Sequence, residues 1–120
     1  MLRLEDLEVY NLSMVIGDKI WDVVETWTNY QKNTIGSQLV RAADSITANI
    51  SEGYGRFSFK ENKQFCFYSR GSLMETKTFL TKAKNRKLIN EKTFEELIAD
   101  LEKNHFKLNA YIKSIGNKGD

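Results

Sequence analysis

Lys63, Arg70, Lys77 and Lys84 recur at intervals of seven residues. Seven residues fall about 20° short of two full helical turns, so on a helix these cations form one slowly drifting stripe. Such a stripe meets phosphates and gives salt-dependent, sequence-tolerant attraction to nucleic acid. The stripe belongs to a wider excess. Residues 59–88 hold eight basic side chains (Lys60, Lys63, Arg70, Lys77, Lys82, Lys84, Arg86 and Lys87) against Glu61 and Glu75, a local charge of +6. One reading is a phosphate-binding face with Lys63, Lys77, Lys82, Lys84, Arg86 and Lys87 as its contacts. The other is a solvated face whose last cations favour the carboxy-terminal end of a helix.

Other chemistry finds less support. His105 is the only histidine. It falls between Leu101 and Leu108 on an apolar face, and a zinc site needs more ligands than one histidine and one distant cysteine. It reads as a packed or edge-of-core side chain. Cys66 sits among Phe65, Phe67 and Tyr68, where a thiol behaves as a small hydrophobe. A cysteine nucleophile needs a neighbouring base, and only His105 is on offer. Gly53-Tyr54-Gly55 lacks the preceding strand and the following Gly-Lys-Ser/Thr of a phosphate loop. Glu52 and Glu75 are available as an acid/base pair, with nothing else to support that use. The expectation is a non-enzyme without catalytic residues, metal, cofactor or small-molecule substrate.

The elements that must position these residues are helices. The chain has 120 residues and no proline, with 41% apolar and 28% charged residues. One domain spanning 1–120, with an ordered core over about 7–115, buries roughly two thirds of its unfolded surface and needs no staple. A single cysteine excludes an internal disulfide and suits a reducing compartment. The acidic start is no signal peptide, and no apolar run approaches the ~20 residues that span a bilayer. A cytoplasmic protein without a membrane partner is expected. Net charge is +2, yet residues 1–55 carry −4 and residues 56–120 carry +6. That asymmetry suits a polyanionic partner or self-association through opposite patches.

Four segments have helical periodicity, which predicts an all-α, antiparallel up-and-down four-helix bundle. In the first, Val9, Leu12, Ile16, Ile20, Val23 and Trp27 form one stripe, and Tyr10, Met14, Gly17, Trp21 and Val24 form a second beside it. Such a helix is either centrally covered or presents Tyr10, Met14 and Trp21 to another subunit. Thr28–Thr34 reads as a polar loop with Asn33 or Thr34 as cap. The second helix runs through Leu39, Ala43, Ile46 and Ile50, and Gly53 and Gly55 end it in the left-handed conformation. Ser58 and Glu61 form a capping box for the third. Its Ser69, Gly71 and Ser72 are small enough for a neighbouring helix to come close. Asn90 caps the fourth, which carries Phe94, Leu97, Ile98, Leu101, His105, Leu108, Ile112 and Ile115. The tail from Gly116 is expected to fray.

Folding the second and third helices back about residues 56–57 makes facing positions sum to about 113. Asp44 then opposes Arg70, Arg41 comes within about a turn of Glu75, and Asn49 and Glu52 come near Gln64 and Glu61. These residues (Arg41, Asp44, Asn49, Glu52, Arg70 and Glu75) are expected to form a polar network that fixes helix register.

The run IGSQLVRAADSITANISEGYGR at 35–56, with SRGSLME at 69–75, resembles the four-helix-bundle proteins encoded in intervening sequences of bacterial 23S ribosomal RNA genes, also called S23 ribosomal proteins. The resemblance extends from Leu7 to Ile115. Ser51 stands where the family motif more often has alanine. Membership implies a non-catalytic bundle assembling into a ring-like homopentamer. Related accessory proteins of diversity-generating retroelements share this design, bind nucleic acid and partner a reverse transcriptase. Arg41, Asn49, Glu52, Arg70 and Glu75 carry over as structural motif positions. The sequence therefore predicts a non-enzymatic, oligomeric RNA- or DNA-binding accessory protein. The alternative is a scaffold or protein-interaction module that binds no nucleic acid.

Overall fold

In the computed structural model, which describes residues 3–116, four long helices follow one another. They are α1 (Glu8–Glu25), α2 (Ser37–Tyr54), α3 (Phe59–Asn85) and α4 (Glu91–Ser114). Two starts are written in the local sequence. The Ser58 hydroxyl accepts the Glu61 N–H at 3.1 Å and opens α3. Asn90 Oδ1 accepts the Thr93 N–H at 2.7 Å and opens α4. Each cap satisfies an amide that has no partner inside its helix.

The stretch expected as a loop, Thr28–Thr34, is helical instead. Thr28 and Gln31 form a reciprocal capping box, with Gln31 N–H donating to Thr28 Oγ1 and Thr28 N–H to Gln31 Oε1. One helical turn (Asn29–Gln31) leads into a π-helical turn (Lys32–Gly36), which runs straight into α2. Thr-x-x-Gln is a start signal whatever the polarity of the residues it spans. At the other end of α2, Gly55 has φ −78° and Gly53 lies inside the helix, so neither takes the left-handed form. Lys87 takes it instead, at φ 62°. Leu88 N–H bonds Ala83 O and Lys87 N–H bonds Lys84 O, a Schellman turn closing α3.

Each helix packs against two neighbours: α2 and α3 against each other most extensively, α1 against α2 and α4, and α3 against α4. Among the described residues the result is a four-cornered up-and-down bundle without strands. Its axis is filled by Ile16 and Ile20, by Leu39, Ile46 and Ile50, by Leu73 and Leu80, and by Leu101 and Leu108, all fully buried. The doubled stripe of α1 divides. Gly17 and Val24 are buried, Tyr10 is half-buried against the core, and Met14 and Trp21 remain exposed.

The α2–α3 contact is close at two points. Ser69 Oγ donates to Ile46 O at 2.7 Å in a fully buried bond. A β-carbon at Gly53 would lie 2.9 Å from Asn62 O. Gly71, expected in this contact, faces open space: a β-carbon there meets nothing within 4 Å. The expected fraying concerns, beyond Gly116, positions outside the described residues.

Candidate nucleic-acid interface

The 27 residues of α3 make it the longest helix, and it carries the cationic residues on two flanks. The seven-residue stripe runs along the α4 seam. Arg70 Nη1 donates to Asn109 Oδ1 at 2.8 Å, and its guanidinium stacks over Phe67 at 5.0 Å. Lys84 pairs with Glu91 at 3.3 Å and lies over the Phe94 ring at 4.6 Å. Lys77 and Lys63 are half-buried, without an ion pair among the described residues. His105 is half-buried beside this seam. Burial, and then the charges of Lys77 and Arg70, hold its pKa below the usual histidine range, so it is neutral at neutral pH. The other flank, Lys82 and Arg86, turns toward the start of α2. Lys87 sits in the left-handed cap and is exposed.

The expected polar network does not form within the chain. Asp44 is directed at α1 rather than at Arg70: a β-carbon at Gly17 would lie 3.1 Å from Asp44 Oδ1. Arg41 and Glu75 are both exposed and share no ion pair. Asn49 Nδ2 donates back to Ser45 O at 2.9 Å, within its own helix. Only the Glu52 corner approaches its expected surroundings. Arg56 bridges Glu52 at 3.1 Å and Glu61 at 3.6 Å while lying over Phe65. The physical reason is the face each side chain takes. Ile46 meets Ser69 and Gly53 meets Asn62, which still sets Asp44 level with Arg70 and Arg41 level with Glu75 to within about one residue. Asp44, however, turns to α1, and Arg70 turns to Asn109 on α4.

Asp44 is left as a partly desolvated carboxylate. Burial, and then the nearby Asp18, raise its pKa. A folded-state pKa above the unfolded one means that the proton favours the fold. That contribution is present below the unfolded value near 3.8 and is lost as pH rises through the folded value. Asp44→Asn is therefore expected to stabilise the fold near pH 7, by less than about 1 kcal/mol given solvent screening, and so to raise the melting temperature slightly. Calorimetry across pH should show the gain shrinking toward pH 4.

Two side chains show what periodicity missed or confirmed. Asn104, not His105, occupies the buried line of α4 with Leu97, Leu101 and Leu108. Its Nδ2 and Oδ1 are both buried without a partner among the described residues. Cys66 is fully buried, and burial pushes its thiol up to about 11. A thiol so raised is protonated at neutral pH and is a poor nucleophile. Among the described residues, no three His, Cys, Asp or Glu side chains gather as a ligand set for a metal ion. No helix there is long and apolar enough to cross a membrane.

Helix order and pairing place the chain among antiparallel four-helix bundles, here with one strongly cationic helix. Within that class it belongs to the 23S rRNA-intervening sequence protein family, whose model matches residues 5–110. Its fold is similar to the crystal structure of a protein of unknown function from the S23 ribosomal protein family of Bacteroides thetaiotaomicron VPI-5482. The TM-score is 0.81 at 22% identity, over 88% of this chain and 99% of that one. At that identity the likeness speaks for the fold alone. No curated protein matches the chain.

Proposed function

We propose that this protein is a non-enzymatic accessory protein that assembles with copies of itself and binds RNA or DNA through the cationic flanks of α3. One observation carries the reading. Lys60, Lys63, Lys77, Lys82, Arg86 and Lys87 have no ion pair among the described residues, while Glu61 is engaged by Arg56. Unneutralised cations concentrated on one helix attract a polyanion and release its counterions on contact. Lys84, neutralised by Glu91, leaves the set of expected contacts.

Self-association draws support from apolar side chains left in solvent. Met14 and Val15 on α1 are 42% and 48% exposed, and Phe67, Tyr68 and Met74 are exposed on α3. The two sets lie on helices that do not pack against each other, and exposed apolar side chains on separate faces suit contacts between successive copies in a ring. The ring of five copies implied by the family is the assembly we propose, and light scattering after size exclusion tests it. A pentamer mass is expected, and a monomer at micromolar concentration would contradict it.

The nucleic-acid reading is tested by changing Lys63, Lys77, Lys82 and Lys87 together to glutamine. The variant should keep its helicity and its assembly. It should bind RNA and DNA more weakly at low salt, with a salt slope shallower by about 3. Exposed aromatics on the surface, Phe57, Phe59 and Phe106, favour the second reading, a protein-interaction scaffold. An assembled protein that binds neither nucleic acid at low salt would decide for the scaffold.

A further inference from the structure

Two open cavities lie side by side where the π-helical turn Lys32–Gly36 feeds α2. The first, about 360 Å³, is lined by Trp21, Val24 and Val40 together with Glu25, Lys32 and Arg41. The second, about 460 Å³, lies between the start of α2 and the end of α3. Arg41, Lys82 and Arg86 line it with Asn33, Gln38 and Phe79. Ser37 and Arg41, one turn apart on α2, line both, so the two cavities adjoin across them and together make a two-part cleft. Each part falls in the size range of small-molecule sites, about 300–1,000 Å³.

The two halves differ in chemistry. The first offers an indole, 54% exposed, backed by valines. The second gathers three cations with no carboxylate among its lining residues. Lys32, Arg41, Lys82 and Arg86 have no ion pair among the described residues. The second half therefore concentrates positive charge, which favours an anion there. A ligand that fits both halves has a planar apolar part joined to a phosphate. The turn between them is built for this place. A β-carbon at Gly36 would lie 2.9 Å from Val24 Cγ1 and 3.0 Å from Gln31 O, so only glycine lets the turn settle on α1. π-Helical turns are rare and concentrate at functional sites.

We infer that this cleft binds one nucleotide unit of single-stranded nucleic acid, with the base against Trp21 and the phosphate among Arg41, Lys82 and Arg86. The inference rests on the nucleic-acid reading above and gives that reading a specific site. It moves Arg41 from an internal network to ligand contact and Trp21 from the subunit seam to the cleft, leaving Met14 and Val15 for assembly. It also predicts a preference for single strands, because a base paired in a duplex offers no free face for stacking.

The test uses the full chain and labelled oligonucleotides of about 12 nucleotides, namely oligouridine RNA, oligothymidine DNA and a duplex. Trp27 is buried, with its Nε1–H bonded to Leu88 O, so ligand-dependent quenching reports Trp21. Single strands should quench the wild-type emission and leave Trp21→Phe unquenched, and the duplex should quench neither. Quenching by RNA or by DNA supports the site, and the ratio of the two affinities distinguishes the sugars. Trp21→Ala, and Arg41, Lys82 and Arg86 changed together to glutamine, should each weaken binding about tenfold or more. Lys63 and Lys77 changed to glutamine should weaken binding at low salt as well, but the strand that does bind should still quench Trp21. Circular dichroism confirms that each variant is folded. Undiminished binding by the triple variant, without quenching, would overturn the cleft and leave nucleic-acid binding standing. Absence of any binding at low salt would overturn both. Trp21 emission that shifts on assembly alone would make the cleft a subunit seam and overturn the inference.

Discussion

Gly53→Ala is expected to destabilise the fold by about 2–3 kcal/mol. In an exposed helix interior the same change gains roughly 0.5–1 kcal/mol, because alanine restricts the unfolded chain and glycine does not. At Gly53 that gain is overridden. The new β-carbon would lie 2.8 Å from Asn62 Oδ1, 2.9 Å from Asn62 O and 3.0 Å from Phe65 Cβ. Asn62 Oδ1 can swing away, but Asn62 O belongs to the backbone of α3. The helices must separate to admit a methyl group, and the buried Ser69–Ile46 bond lies in the same contact. Gly71→Ala is the internal control. It meets nothing within 4 Å and should gain about 0.5–1 kcal/mol. Urea titrations with unchanged slopes compare the two directly. A gain at Gly53 would mean that α2 and α3 are further apart than described.

Asn104→Leu is expected to stabilise the protein by about 1–3 kcal/mol, a rise of several degrees in melting temperature. The Asn104 side chain is fully buried, and neither polar atom finds a partner among the described residues. Burying an amide without hydrogen bonds costs about that much. Leucine has the same four-heavy-atom branched shape with somewhat larger groups and continues the line of Leu97, Leu101 and Leu108, so removing the amide leaves no cavity. A polar residue kept in such a place can hold helices in one register against slipped alternatives. The leucine variant should then show broader, less uniquely packed behaviour in near-ultraviolet dichroism despite its higher melting point. A loss of stability would show that the asparagine is hydrogen-bonded after all.

Much of the fold was legible because it is written locally. Ser58 and Asn90 mark their helices by capping chemistry, and the apolar stripes of the first, second and fourth helices place the axial core within one residue of its true line. The Thr28–Gln31 start was equally local, but a run of polar residues hid it behind a loop reading. What was not legible depends on how helices meet. The α2–α3 pairing sets Asp44 level with Arg70 and Arg41 level with Glu75 to within about one residue, but the rotation of each helix turns Asp44 to α1 and Arg70 to α4. Asn104 and His105 are adjacent on α4, and composition favours the aromatic ring over the amide for the core. Rotation of the helix decides the other way. The cationic residues of α3 were visible by count. Their division between the α4 seam and the α2 side, and the approach of Arg41 to Lys82 and Arg86, come only from packing α3 against both neighbours.

The central claim is that the cations of α3 are there for a polyanion. Its most direct measurement is the affinity of the assembled full chain for single-stranded RNA and DNA across a salt series. Contact with several phosphates predicts log affinity falling linearly with log salt, at a slope of about −0.7 per phosphate contacted on a single strand. With four to six cations engaged, a slope of roughly −3 to −4 is expected. Affinity that is flat in salt, or undetectable at the lowest salt used, would contradict it.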